Sequence, residues 1–405
     1  VPSVLITFLK KHPNNASKSE IGKLLIDSYI SSKNYKEALI LLGKNKSSEN
    51  KPAYQKVTFY RGLELYTDGK YQEASSMFEK SIDEPRDAKF TARATFWKGE
   101  TEYVLEDFKN AVLSYKQFLG LAQAKETPEY LNSNYNIAYT YFKLKEYDQA
   151  GNYFEKQIEK GKNDKVRLND SYLRLADCRF VESKYMPALE AYNKVIDLRS
   201  IDADYAYFQK AICYGFLSKN NKKIEELNIF LKLYLKSDYR DDALFELGNT
   251  YVADKQQDLA IKTYDRLNAE FKKGSYTSKA ILRQGLIYYN SDRDEQALTK
   301  FKKVAADFPK TPEALEAVAT ARLIYVDNGK VDEYATWVRT LDFVTVTDAE
   351  LDNDTYEAAE KQYLQNNTRL AISGLSGYVS KFLNGIHSLK ANFYLAQSYF
   401  SDAQE

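Results

Sequence analysis

The stretch "DALFELGNTYVADKQQDLAIKTY", residues 242–264, decides the fold. Its apolar residues recur at helical spacing, as Leu244, Leu247 and Tyr251 do. Gly248 interrupts this helix, although glycine in a helix interior costs about 1 kcal/mol relative to alanine. We therefore expect the fold to require a residue of minimal size at this position.

The same stretch contains a short step, Gln257 to Ala260, that recurs along the whole chain. In its strongest copies, such as Tyr35 to Ala38, the step reads aromatic-x-x-Ala. The chain contains ten copies of the step, and their last residues are 36 to 39 positions apart. These last residues are Ala38, Ala74, Ala111, Ala150, Ala188, Ile224, Ala260, Ala297, Tyr334 and Ala371. Each unit holds two helical patterns joined by a short polar turn. This periodicity predicts about ten helical hairpins that stack to bury their apolar faces.

A second small residue lies twelve positions before most of these step alanines. The set comprises Gly62, Gly99, Ala138, Ala176, Gly248, Gly285 and Ala359. We interpret the pairing as two small residues that face each other where the helices of one hairpin approach closely. The expected benefit is tighter packing, which offsets the poor helix propensity of glycine.

The whole arrangement resembles the tetratricopeptide repeat. It consists of a small residue, a tyrosine three positions later, an alanine twelve positions after the small residue, and an aromatic residue four positions after that alanine. In the unit quoted above, the matching residues are Gly248, Tyr251, Ala260 and Tyr264. The resemblance implies an all-α, right-handed superhelical solenoid of about ten hairpins, with a half-repeat at each end. We expect a solenoid over residues 1–342, beginning with the half-repeat 1–18.

Residues 343–405 are expected to continue the array as a degenerate repeat and a terminal half-repeat. A bend is predicted near residues 343–350, because "FVTVT" at 343–347 favours β-structure and breaks the hairpin pattern. The chain starts and stops in mid-repeat, so we expect it to be part of a longer array.

Hairpin junctions such as "FPKTPEA" at 308–314 are similar to those of the bacterial periplasmic branch of this family. That branch includes the outer-membrane β-barrel assembly lipoprotein and the Tol-Pal-associated repeat proteins. The resemblance implies a scaffold of the bacterial cell envelope, periplasmic or attached to the outer membrane. Two alternatives stay open: a cytoplasmic adaptor or regulatory module, and a non-catalytic region of a larger protein.

Composition disfavours other function classes. The net charge of +1 provides no general attraction for nucleic acid, and no apolar run approaches the ~20 residues of a membrane span. The two cysteines, Cys178 and Cys213, are too few for a disulfide framework or a cysteine zinc site. The two histidines, His12 and His387, lie at opposite ends of the chain. We therefore predict no enzymatic activity, no metal and no cofactor, and proteins or peptides as partners.

Two sets of residues are predicted to line a binding groove on the first helices. The first set follows the small position directly and comprises Asp27, Glu100, Tyr139, Asp177 and Asn249. The second belongs to an aromatic stripe four residues after the small position and comprises Tyr66, Tyr103 and Tyr289. The stripe either packs against the next hairpin or accepts an extended peptide, and the sequence alone leaves both interpretations open.

Overall fold

The computed structural model describes residues 2–44, 47–199 and 201–403. Val1 of the predicted half-repeat lies outside these described residues. Within them the chain forms 22 α-helices, three short 3₁₀ helices and no β-strand. The all-α, helical-repeat prediction is therefore confirmed. The β-favouring segment 343–347 is an irregular connection between two helices, and its Val344 and Val346 pack against a buried cluster around Tyr334.

The chain divides into two compact units, residues 1–217 and 218–405. In the first unit, consecutive helices pack pairwise along the chain. Its α-helices are α1 (Pro2–Lys11), α2 (Lys18–Ser31), α3 (Tyr35–Lys44), α4 (Lys51–Thr67), α5 (Tyr71–Asp83), α6 (Ala88–Val104), α7 (Phe108–Gly120), α8 (Ser133–Lys143), α9 (Tyr147–Lys160), α10 (Lys165–Val181), α11 (Tyr185–Asp197) and α12 (Ala203–Phe216). Its 3₁₀ helices are η1 (Ser48–Asn50), η2 (Ala122–Glu126) and η3 (Pro128–Asn132).

The second unit repeats the same construction. Its α-helices are α13 (Asn220–Leu233), α14 (Arg240–Ala253), α15 (Gln257–Glu270), α16 (Thr277–Tyr289), α17 (Asp294–Asp307), α18 (Pro312–Asp327), α19 (Val331–Val338), α20 (Asp348–Leu364), α21 (Thr368–Lys381) and α22 (Ser388–Asp402). The sequence-based division at residue 343 stays a prediction.

The turn inside each hairpin follows one backbone path. Two positions before each second helix, one residue adopts a left-handed conformation with φ between 54° and 75°. These residues are Lys33, Gly69, Glu106, Lys145, Ser183, Ser218, Lys255, Asp292, Gly329 and Asn366. Only two are glycine, the residue that adopts this conformation without steric cost. The regular turn fixes where each second helix begins relative to the first.

The small positions accommodate aromatic rings. An added Cβ on Gly248 would lie 2.8 Å from Cζ of Tyr264, and one on Gly99 would lie 2.9 Å from Cδ1 of Tyr115. Gly62 and Gly285 face phenylalanine rings in the same way. The two helices of a hairpin therefore do meet at the small position. The nearest neighbour, however, is the aromatic residue four after the step alanine rather than the alanine itself.

Candidate functional site

Three of the predicted groove residues accept hydrogen bonds inside their own hairpins. In each pair the donor is a tyrosine fifteen residues later in the sequence. The hydroxyl of Tyr115 donates to Glu100 Oε1 at 2.5 Å, and that of Tyr192 donates to Asp177 Oδ1 at 2.8 Å. The pair Tyr264 and Asn249 Oδ1 repeats the arrangement at 2.7 Å. The ring that packs on the small residue thus also anchors its polar neighbour.

The chemistry of this pair varies consistently along the chain. Where the second helix supplies phenylalanine, the partner position carries no carboxylate or amide. The pairs in which the second helix supplies no hydroxyl are Leu63 with Phe78, Tyr139 with Phe154, and Leu286 with Phe301. Asp27 has Leu42 at the corresponding distance and is exposed on α2. The main role of the polar residue after the small position is therefore to accept a hydrogen bond from this tyrosine. The sequence signals that role, because the carboxylate or amide is present where the second helix has tyrosine and absent where it has phenylalanine.

The first helices carry aromatic residues both three residues before and four residues after the small position. In the earlier row Phe59 and Phe96 belong to the core, Tyr135 is half-buried and Phe393 is exposed. The predicted residues Tyr66, Tyr103 and Tyr289 are half-buried. Tyr66 contacts Trp97 of the next hairpin edge to face at 5.2 Å between ring centroids. Most of the stripe is thus packing between and within hairpins.

A cleft of about 710 Å³ in the first unit brings Glu100, Tyr103 and Tyr139 together. Six aromatic residues line it, namely Phe96, Trp97, Tyr103, Tyr115, Tyr135 and Tyr139. The other predicted residues lie elsewhere: Asp177 on α10 bonds Tyr192 and Tyr205, while Asn249 and Tyr289 belong to the second unit. Three of the eight predicted residues therefore meet at one place.

The cleft occurs at the longest repeat of the chain. The step alanines Ala111 and Ala150 are 39 residues apart, and two 3₁₀ helices, η2 and η3, lie in this interval between α7 and α8. η2 packs against α6 and α7, whereas η3 packs against α8 and α9. Pro128, Glu129 and Asn132 of η3 line the cleft together with side chains of α6 and α8. η3 thus contributes one wall of the cleft.

Glu129 is the functional candidate that sequence reasoning missed. Its side chain is only 7% exposed. Oε1 accepts hydrogen bonds from Arg93 Nε at 2.9 Å and from Trp97 Nε1 at 3.0 Å. Oε2 is buried and has no hydrogen-bond partner among the described residues. Because buried polar atoms are nearly always paired, this unpartnered oxygen makes Glu129 a functional candidate.

Glu100 supplies a second carboxyl group to the cleft. Burial raises the pKa of this carboxyl, and hydrogen bonds from Tyr115 and Asn136 oppose the rise. Burial also raises the pKa of Tyr139 to about 12, and its hydroxyl donates to Asp170 Oδ2 at 2.5 Å. The tyrosine hydroxyls of the cleft therefore stay protonated at neutral pH and serve as hydrogen-bond donors.

Within the described residues, no set of three or more His, Cys, Asp or Glu side chains is arranged to hold a metal ion. In the same part of the chain, no helix combines the length and apolar character needed to cross a membrane. Burial raises the pKa of the Cys178 and Cys213 thiols to about 12, so both are protonated at neutral pH. Neither thiol is thereby activated as a nucleophile.

Four segments of the chain match models of the tetratricopeptide repeat. They are residues 61–126, 131–159, 242–273 and 279–311. The first two cover most of the helices that line the cleft. Tetratricopeptide repeats generally act as protein-interaction scaffolds and are typically non-catalytic. No curated protein matches the chain in sequence.

Several solved structures are similar to the chain at low sequence identity. The C-terminal part of a TPR repeat-containing protein from Cytophaga hutchinsonii is 15% identical, with a TM-score of 0.50 over 64% of this chain and 98% of that chain. The apo form of RapI is 14% identical, with a TM-score of 0.47 over 92% of this chain and 96% of that chain. A tetratricopeptide repeat protein from Parabacteroides merdae is 13% identical, with a TM-score of 0.40 over 67% of this chain and 98% of that chain.

Proposed function

We propose that this tetratricopeptide-repeat protein is a non-enzymatic scaffold that binds a segment of a partner protein in the cleft between α6, η3 and α8. The carrying observation is one cleft of about 710 Å³ that combines six aromatic side chains with a buried, unpartnered carboxylate oxygen. Tyrosine and tryptophan provide apolar area together with a polar group, and they are enriched at sites that dominate binding energy.

An extended peptide suits this site better than a small molecule. The lining runs from Arg93 on α6, through η3, to Arg167 on α10, so it spans neighbouring hairpins. Rings distributed along such a path provide successive contacts for the side chains of a passing chain. The groups at the site bind and orient a ligand, and they are not arranged as a nucleophile with its base.

The experiment that tests this function begins with peptides selected from a random dodecapeptide display library on the immobilised chain. Their affinities are measured by fluorescence anisotropy for the chain and for two variants. Tyr103→Ala removes a cleft ring and should weaken binding by about tenfold or more. Tyr289→Ala makes the same change at the same repeat position in the second unit, outside the cleft, and should leave affinity unchanged. Equal affinities for both variants would contradict the cleft assignment.

We further propose that the scaffold belongs to a bacterial cell-envelope assembly and resides in the periplasm, free or attached to the outer membrane. The resemblance of the junction at 308–314 to the periplasmic repeat proteins supports this location. A cytoplasmic adaptor, or a non-catalytic region of a larger protein, is the competing possibility. Fractionation of cells that make the full-length tagged protein tests the location. Release by osmotic shock or recovery with outer membranes is expected, and recovery only in the cytosol would contradict the proposal.

A further inference from the structure

We propose that the cleft between α6, η3 and α8 binds a proline-rich segment of the partner protein in the polyproline II conformation. This inference rests on the proposed function, because it names the class of segment that the same cleft accepts. A polyproline II segment presents pyrrolidine rings and open backbone carbonyls, and proline has no N–H group to donate. Three properties of the cleft match this chemistry: its rings are held in place, its lining is neutral, and its open polar groups can donate hydrogen bonds.

The aromatic rings of the cleft are held in fixed positions. On α8, the hydroxyls of Tyr135 and Tyr139 both donate to Asp170 Oδ2, and the two ring centroids are 4.8 Å apart. On α6, Trp97 Nε1 donates to Glu129 Oε1 at 3.0 Å. Aromatic-lined grooves bind polyproline II segments, because such segments are already extended and lose little conformational entropy on binding. Rings fixed in advance therefore favour a segment that is also ordered in advance.

The charged groups of the lining balance one another. Two guanidinium groups, Arg93 and Arg167, and two carboxyl groups, Glu100 and Glu129, line the cleft. Arg93 Nε donates to Glu129 Oε1, and Arg167 Nη1 donates to Asp164 Oδ2. Glu129 Oε2 is enclosed, so a ligand in the cleft does not reach it. The lining thus selects neither a basic nor an acidic segment, and apolar and backbone groups of the partner supply the contacts.

Two polar groups of the cleft are open, and both can donate a hydrogen bond. Asn132 occupies the N-cap position of α8, yet its side chain makes no capping hydrogen bond. Its half-buried side chain lines the cleft instead. The hydroxyl of Tyr103 has no hydrogen-bond partner among the described residues, and burial raises its pKa, so it stays protonated at neutral pH. Each group can therefore donate to a backbone carbonyl of the bound segment.

A proline-rich segment matches these groups better than a helix or a β-like segment does. A helix bonds most of its own carbonyls, so it offers few acceptors to Tyr103 and Asn132. A β-like segment brings N–H groups that need acceptors, and acceptors of the lining are already engaged. Glu100 Oε1, for example, accepts from Tyr115 and Asn136. Proline removes the unmet N–H group and keeps the carbonyl.

The test uses the full chain, fluorescein-labelled decaproline and the selected dodecapeptides. Decaproline should bind saturably in fluorescence anisotropy and be displaced by the selected dodecapeptides, whereas a decapeptide of alternating glycine and serine should not bind. Each proline of a selected dodecapeptide is then replaced in turn by alanine. At one position or more, this change should weaken binding by about threefold or more, because alanine restores the N–H group and loosens the extended conformation.

Two variants with matched controls test the donors. Tyr103→Phe keeps the ring and removes the hydroxyl, and Asn132→Ala removes the amide. Each should weaken decaproline binding by about threefold to tenfold. Tyr289→Phe, in the second unit, and Asn193→Ala, on α11, make the same changes outside the cleft and should leave the affinity unchanged. Circular dichroism checks that all four variants fold, and the alanine-substituted peptides provide a test that needs no variant.

The possible outcomes separate this inference from the proposed function. Selected dodecapeptides that depend on Tyr103 but lack proline, or tolerate its replacement, would overturn the proline assignment and leave the proposed function standing. No binding of decaproline up to about 1 mM, or binding that Tyr103→Phe and Asn132→Ala leave unchanged, would overturn it in the same way. If no selected dodecapeptide depends on Tyr103, the proposed function itself fails. Loss on proline replacement together with loss in both variants supports the assignment.

Discussion

Replacing Gly248 by alanine tests the packing that defines each hairpin. The added Cβ would lie 2.8 Å from Cζ and 2.9 Å from Cδ1 of Tyr264, closer than such carbons normally approach. The Tyr264 ring is fully buried and its hydroxyl is bonded to Asn249, so it cannot move aside without loss. Overpacking costs about 1–3 kcal/mol and a weakened hydrogen bond about 0.5–1.5 kcal/mol, whereas alanine gains about 1 kcal/mol of helix propensity. We expect a net loss of about 0.5–3.5 kcal/mol.

Urea unfolding followed by circular dichroism measures this loss against a matched control in the same unit. Gly377 lies inside α21, and an added Cβ there would meet no atom within 4 Å. Gly377→Ala should therefore stabilise the chain by about 0.5–1 kcal/mol, through propensity and a less flexible unfolded state. The two variants are thus expected to shift the unfolding midpoint in opposite directions. If Gly248→Ala were stabilising like its control, the account of the small positions would be refuted.

Three further predictions concern buried polar groups. Tyr264→Phe should lower the free energy of unfolding in urea by about 0.5–1.5 kcal/mol. Adding Asn249→Leu should recover most of this loss, because phenylalanine–leucine pairs fill this position in other hairpins. No recovery would contradict the pairing of tyrosine with a polar residue and of phenylalanine with leucine. Burial raises the pKa of Glu100 above 4.5, so the chain should lose stability relative to Glu100→Gln as the pH rises from about 4 to about 7; a difference independent of pH would argue against a buried carboxyl. Arg322 Nε donates to the fully buried Asp354 at 2.7 Å. Arg322→Met leaves this carboxylate unpaired and should therefore destabilise the chain by about 3–5 kcal/mol. A loss of stability below about 1 kcal/mol would count against the ion pair.

The sequence predicted the fold because its signals are local. Apolar spacing, the polar turns and the recurring step alanines all act within one hairpin, and the step alanine Ala260 is fully buried as expected. Local spacing predicted the wrong neighbour for Gly248, since the nearest side chain is Tyr264 and not Ala260. Side chains on a helix lean toward its N-terminus, so the ring of Tyr264 lies over the turn that contains Ala260 and reaches the glycine first.

The candidate site was only partly predictable. Register arguments selected Glu100, Tyr103 and Tyr139, which the structure brings to one cleft. The same arguments could not find Glu129, whose partner Arg93 lies 36 residues earlier and whose burial depends on how η3 packs. The only hint in the sequence was the 39-residue interval of this repeat. The contact depends on η3, which directly precedes the short helix α8, and a repeat pattern does not describe such a local departure.

Trp97 offers the most direct test of the central claim that the cleft binds a partner segment. The chain has two tryptophans, and only Trp97 lines the cleft, since Trp337 packs in a cluster of the second unit. In a Trp337→Phe variant, indole fluorescence therefore reports on the cleft alone. Titration with a selected dodecapeptide should change the Trp97 emission with the same half-saturation concentration as the anisotropy of the labelled peptide. Saturable binding by anisotropy with unchanged Trp97 emission would contradict the claim.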